Sequence, residues 1–153
     1  MKIMSPHVKL LECPEFPADS NSPPVEKRIV HPTWQEIEAT IRKLDKHVHP
    51  FIVLAPVLDE SERFNGDSDF FEVIGGNGDY WVAGSINGYW QRRAVNPLGD
   101  DNEIDLWTSH QGFSSPSEFV LHDLNVVLRA AKYYYEYNEF DPNLEWEDQT
   151  PIQ

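Results

Sequence analysis

Apolar residues recur along this chain with two different periods, and the switches between them divide it into elements. Trp34, Ile37, Ile41 and Leu44 follow at helical spacing, which predicts a helix with one apolar stripe. Thr33 and Glu36 just ahead of that stripe form a capping box, each side chain accepting from the other residue's free backbone N–H. Lys43, Lys46 and His47 then suit the negative pole of the helix dipole. A second helix is predicted over about 122–137, with Leu124, Val127, Leu128, Ala131 and Tyr135 on one stripe.

Between these helices the pattern is that of strands. Phe51-Ile52-Val53-Leu54-Ala55 is a short, continuous apolar run that reads as a strand buried on both faces. Asn77-Gly78 and Asn87-Gly88 lie between aromatic-rich segments, and Asn-Gly suits a type I′ turn because both central residues need positive φ. They predict an antiparallel meander of three strands, at about 69–75, 80–86 and 89–95. Two-residue turns would place Phe71, Val73, Tyr80, Val82, Ile86, Tyr89 and Val95 on one face, against the core. Phe70, Glu72, Ile74, Trp81, Ser85, Trp90 and Arg92 would share the other. The extra Gly75-Gly76 is the place where the first hairpin could slip by one residue and exchange its faces. A further strand is expected at 103–109, and Ser114-Ser115-Pro116-Ser117 reads as a turn.

Ahead of residue 29 the pattern fades. Pro6, Pro14, Pro17, Pro23 and Pro24 interrupt residues 1–28, which read as an irregular arm carrying short strands at 7–11 and 27–30. The expected organisation is therefore this arm followed by a single domain, 29–153. Its class is α+β, an antiparallel meander packed against an N-terminal and a C-terminal helix.

Charge changes the picture more than size does. Asp and Glu number 26 against 12 Lys and Arg, a formal net charge of -14 over 153 residues. Such a balance argues against nucleic acid as a direct ligand, because phosphate contacts are made mainly by Lys and Arg. A basic protein partner is the more natural expectation, although acidity for solubility alone is an equal alternative. The longest apolar runs are too short to span a bilayer, which needs ~20 residues. No apolar stretch near Met1 suggests a signal peptide, and the single Cys13 excludes an internal disulfide, so a soluble cytoplasmic protein is expected.

Catalytic chemistry finds little purchase. His47 and His49 lack the further converging ligands a metal site needs, and one cysteine excludes thiolate clusters. Gly75-Gly76-Asn77-Gly78 lies between strands, away from the helix N-terminus that would hold phosphate. Cys13 sits in the proline-rich arm, a poor place for a held nucleophile. No catalytic residue, metal or cofactor is expected. Trp34 and Trp146 read as packing residues. Trp81 and Trp90 are either anchors of a binding patch or a second buried layer beneath the arm.

Small motifs carry a family resemblance. His31-Pro32-Thr33-Trp34-Gln35-Glu36-Ile37-Glu38, with Ile41 and Leu44, resembles the opening helix of the first-numbered family of immunity proteins from bacterial polymorphic-toxin systems. The glycine-turn hairpin from Val73 to Val82 is similar to that family's central strands. The helix with Val127, Ala130 and Ala131, then Pro142-Asn143-Leu144-Glu145-Trp146, resembles its closing segment. The likeness covers about 27–147, and Asn138-Glu139 departs from it where a glycine turn is expected.

The resemblance implies a non-enzymatic inhibitor in the cytoplasm of the toxin-producing cell. Its partner would be a cognate toxin domain acting on nucleic acid, a deaminase or a nuclease, whose basic cleft it occludes. Two other readings remain: an acidic adaptor or regulatory domain without a toxin, and a small enzyme. The residues expected at a toxin interface are Asp59, Glu60, Glu62, Asp67 and Asp69 from one acidic loop. Asp100, Asp101, Glu103 and Asp105 come from a second, and Trp81 or Trp90 would be the anchor. Both loops are expected at one edge of the sheet.

Overall fold

The computed structural model describes residues 7–19, 21–58, 69–86 and 91–149. Seven strands form one sheet and two more form a separate ribbon. In chain order these are β1 (Leu10–Glu12), β2 (Arg28–Val30), helix α1 (Trp34–Arg42), β3 (Phe51–Ala55), β4 (Phe70–Gly76) and β5 (Asp79–Ser85). They continue with β6 (Arg92–Val95), β7 (Glu103–Trp107), β8 (Phe113–Pro116), helix α2 (Leu124–Tyr137) and β9 (Glu145–Asp148). The sheet order is β2-β1-β3-β4-β5-β6-β9, every neighbouring pair is antiparallel, and β7 pairs with β8. No described helix is long and apolar enough to cross a membrane.

Local chemistry accounts for both helices. Thr33 Oγ1 accepts from the Glu36 N–H while Glu36 accepts from the Thr33 N–H, completing the capping box of α1. Asp123 caps α2 by accepting from the Asn125 N–H. Asn138 ends α2 in the left-handed region, at φ 54°, so asparagine fills the role that glycine usually takes there. Buried residues of both helices, among them Ile37, Ile41, Val127, Leu128 and Tyr134, join one cluster with Leu11, Ile52, Leu54, Phe71, Val73, Val82 and Ala94 of the sheet. Trp34 and Trp146 pack partly buried against that cluster.

Asn77 and Gly78 have φ of 53° and 95°, as a two-residue I′ turn requires, and Gly76 faces Asp79 across it. The first hairpin therefore keeps the expected register, with Phe71, Val73, Tyr80 and Val82 facing the helices. The next pairing differs. A two-residue turn at Asn87-Gly88 would set Gly84 opposite Gln91, but Gly84 lies opposite Arg92 and Ala83 opposite Arg93. The connection itself, residues 87–90, falls outside the described residues. One residue of slip turns Ala94 toward the helices and Val95 to the other face, correcting the expected inward Val95.

Within residues 7–19 and 21–28, parts of the proline-rich segment are tied into the sheet. β1 is inserted between β2 and β3, and Val8, Leu10, Leu11 and Phe16 are buried. Ser114–Pro116, expected as a turn, belongs to β8. Asp79 ties three segments together, accepting from Lys46 Nζ at 2.6 Å and from His122 Nδ1 at 2.9 Å.

One carboxylate on the face away from the helices is poorly solvated. Glu72 lies between Val53 and Ala83, and burial pushes its carboxyl up to about 7. A raised folded pKa means the acid contributes stability below the unfolded value near 4.5 and loses it as pH rises toward 7. Glu72→Gln is expected to gain about 3 kcal/mol over the parent at pH 8 and almost nothing at pH 4. Urea melts at both pH values check this; an equal gain at both would reject it.

Candidate functional site

The β7–β8 ribbon lies over the second face of the sheet. Leu106 is fully buried, and with Ile104 and Phe113 it packs on Trp81, Ala83, Phe119 and Val120. Strand alternation then turns Glu103 and Asp105 to solvent, and Asp101 just ahead of them is also exposed. On β8 their cross-strand neighbours are Pro116 and Ser114, so no base answers them across the ladder. Among the described residues none of these three carboxylates is in an ion pair. The result is an outward acidic row on a ribbon whose other side is anchored.

Asp100 plays a different part. Its carboxylate accepts from the Ser117 hydroxyl at 2.7 Å and from the Asn102 N–H at 3.0 Å, and Ser117 with Asn102 holds its pKa below the usual carboxylate range. It shapes the approach to β7 as well as carrying charge.

Of the other expected interface residues only Asp69 and Trp81 are described. Asp59, Glu60, Glu62, Asp67 and Trp90 lie outside the described residues. Asp69 is half-buried immediately before β4, whereas Asp100 follows β6. Since β4 and β6 both run antiparallel to β5, they are parallel to each other, and the two acids lie toward opposite ends of the sheet. Asp69 therefore does not meet Asp100 at one edge, and the rest of the 59–69 loop lies outside the described residues. Trp81 is only 4 % exposed, with its ring edge-on to Phe113 at 5.2 Å. It belongs to the buried second layer, formed by the ribbon rather than by the arm, and presents no surface to a partner.

Concavities flank these elements. A cleft of about 240 Å³ between β1, β2 and the end of α1 gathers Cys13, Lys27, Arg28, Lys43 and His49. Most of these basic groups already have a partner: Lys27 and His49 lie 3.8 and 3.1 Å from Glu15, and Arg28 lies 3.8 Å from Glu12. Burial pushes the Cys13 thiol up, away from the reactive thiolate. His47 instead meets the Thr108 hydroxyl, 3.1 Å away, so the two histidines of the His-Val-His segment serve separate partners. Among the described residues no group of three or more His, Cys, Asp or Glu side chains is placed to hold a metal.

Another concavity, a groove of about 440 Å³, lies beside the Asn96–Gly99 turn and includes Leu98, which is 95 % exposed. Little in the local sequence points to it, because Pro97-Leu98-Gly99 reads only as loop punctuation. The available signal was a large apolar residue isolated between proline and glycine. No protein-family model matches this chain, and no curated protein resembles it in sequence.

Proposed function

We propose that this protein is an immunity-type inhibitor, which binds a cognate toxin in the cytoplasm of the toxin-producing cell and covers the basic cleft through which that toxin handles nucleic acid. It catalyses nothing in this role. The observation that carries the reading is the row Asp101, Glu103 and Asp105: three exposed carboxylates, with no ion pair among the described residues, along an anchored ribbon in a chain of net charge -14. Enzymes acting on nucleic acid line their clefts with Lys and Arg, and a negative surface of fixed shape complements such a cleft. Complementary charge of this kind acts mainly on the rate of encounter and on partner choice.

The test uses the C-terminal domain of the protein encoded immediately upstream of this chain, with its catalytic residues inactivated. Combined Asp101→Asn, Glu103→Gln and Asp105→Asn is expected to slow association about tenfold at low salt and to leave dissociation nearly unchanged. The difference should shrink as salt rises, because steering decays over a Debye length of ~8 Å at physiological ionic strength. Stopped-flow binding measures both rates. An association rate indifferent to salt and to the triple substitution would return these acids to a solubility role.

A further inference from the structure

We propose that the Asn96–Gly99 turn and the groove beside it form the apolar seat of the protein partner, with Leu98 as the side chain the partner buries. This rests on the inhibitor reading above and adds where the partner sits. Leu98 is 95 % exposed, well beyond Val30 at 56 %, the next of the large apolar side chains among the described residues. Exposure alone would mean little in a loose loop, but this turn is tightly held. Asn96 donates through Nδ2 to the Val120 carbonyl at 2.9 Å, and its Oδ1 accepts from the Leu98 N–H at 3.0 Å. The Asn96 carbonyl accepts from the Gly99 N–H at 3.0 Å, and its own N–H donates to the Glu118 carbonyl at 2.6 Å. Gly99 lies so close to Ser117 that a Cβ there would come within 2.4 Å of its carbonyl oxygen. Pro97 fixes one φ as well. Because the backbone that carries Leu98 is already fixed, binding costs little backbone freedom there, so more of the side chain's burial appears as affinity.

Val95, Leu121, Val126 and Leu144 supply apolar wall to the groove. Its surroundings are acidic: Asp100 and Asp101 follow the turn directly, while Glu118 and Asp123 are exposed beside lining residues. Among the described residues no Lys or Arg lines it, and His122 is the one basic side chain there. Asp100 and Asn102 then lead into β7, and Ser117 bonds to both, joining groove and acidic row in one continuous surface. An apolar seat ringed by carboxylates fits a basic protein surface bearing apolar side chains of its own. The row governs encounter; the seat governs how long the complex lasts.

Leu98→Ser separates the two, because an exposed side chain can be truncated without opening the core. With the same upstream-encoded domain as probe, Leu98→Ser is expected to weaken binding about thirtyfold, mainly through faster dissociation, as for an interface hot spot. Its thermal melt should match the parent's. If the parent binds and Leu98→Ser binds equally well, the seat is wrong while the inhibitor reading stands. If the parent does not bind, both fall. Sedimentation of the free protein supplies the remaining arm: a dimer that Leu98→Ser dissolves would give the groove to a second copy of this chain and overturn the proposal.

Discussion

Gly76→Ala is expected to destabilise the protein by at least ~3 kcal/mol, from strain and collision together. Gly76 has φ 138°, a region that residues with a Cβ rarely enter, and an added Cβ would lie 2.4 Å from the Leu44 carbonyl oxygen and 2.5 Å from the Asp45 nitrogen. Both obstacles are backbone, where α1 gives way to the bridge that pairs Asp45 with Gly76, so neither can swing aside. Two residues on, Gly78 also has a positive φ, 95°, but nothing lies within 4 Å of its added Cβ. Gly78→Ala should therefore cost only about 1 kcal/mol. Urea midpoints of the two variants give the comparison. Equal losses would mean that turn strain alone governs this hairpin and that the approach to α1 is dispensable.

Tyr134→Ala should cost about 3–5 kcal/mol, whereas Tyr134→Phe should be neutral or slightly stabilising. The ring is fully buried, stacked on Phe71 at 5.0 Å and meeting His7 edge-on at 4.7 Å. Removing it leaves a cavity between α2 and the centre of the sheet. Its hydroxyl, by contrast, is buried without a hydrogen-bond partner among the described residues, and burial pushes the phenol's pKa up. Losing the hydroxyl therefore breaks no bond and removes a desolvated polar atom. A loss of 2 kcal/mol or more in Tyr134→Phe, on the scale of an unsatisfied buried group, would show that the hydroxyl is satisfied after all.

Features determined within a few residues were legible in the sequence. The Thr33–Glu36 box marks the start of α1 because both bonds close inside one turn of helix. Asn77-Gly78 sets the β4–β5 register because its two positive φ angles match the twist of the strands on either side. Alternation then sorted Phe71, Val73, Tyr80 and Val82 onto one face, and helical spacing found Val127, Leu128 and Ala131. The acids of β7 were visible too, since Glu103 and Asp105 alternate with Ile104 and Leu106.

Pairings between distant segments were decided only by tertiary structure. β1 lies between β2 and β3, and β9 closes on β6, because sheet edges with unpaired N–H and C=O groups accept whatever strand the chain brings back to them. Trp81 is buried because β7 and β8 return across it, and nothing near residue 81 announces that ribbon. Val95 turned outward through a single residue of slip, too small a change for composition to show but enough to exchange faces. The groove beside Leu98 needs Val95, Leu121 with Val126, and Leu144 to meet from three separate segments, while Asn96 is held by Val120 and Glu118. A concave surface of this kind is a property of packing between remote parts of the chain. Local sequence specifies turns, caps and alternating faces; it carries no record of which faces end up opposite one another.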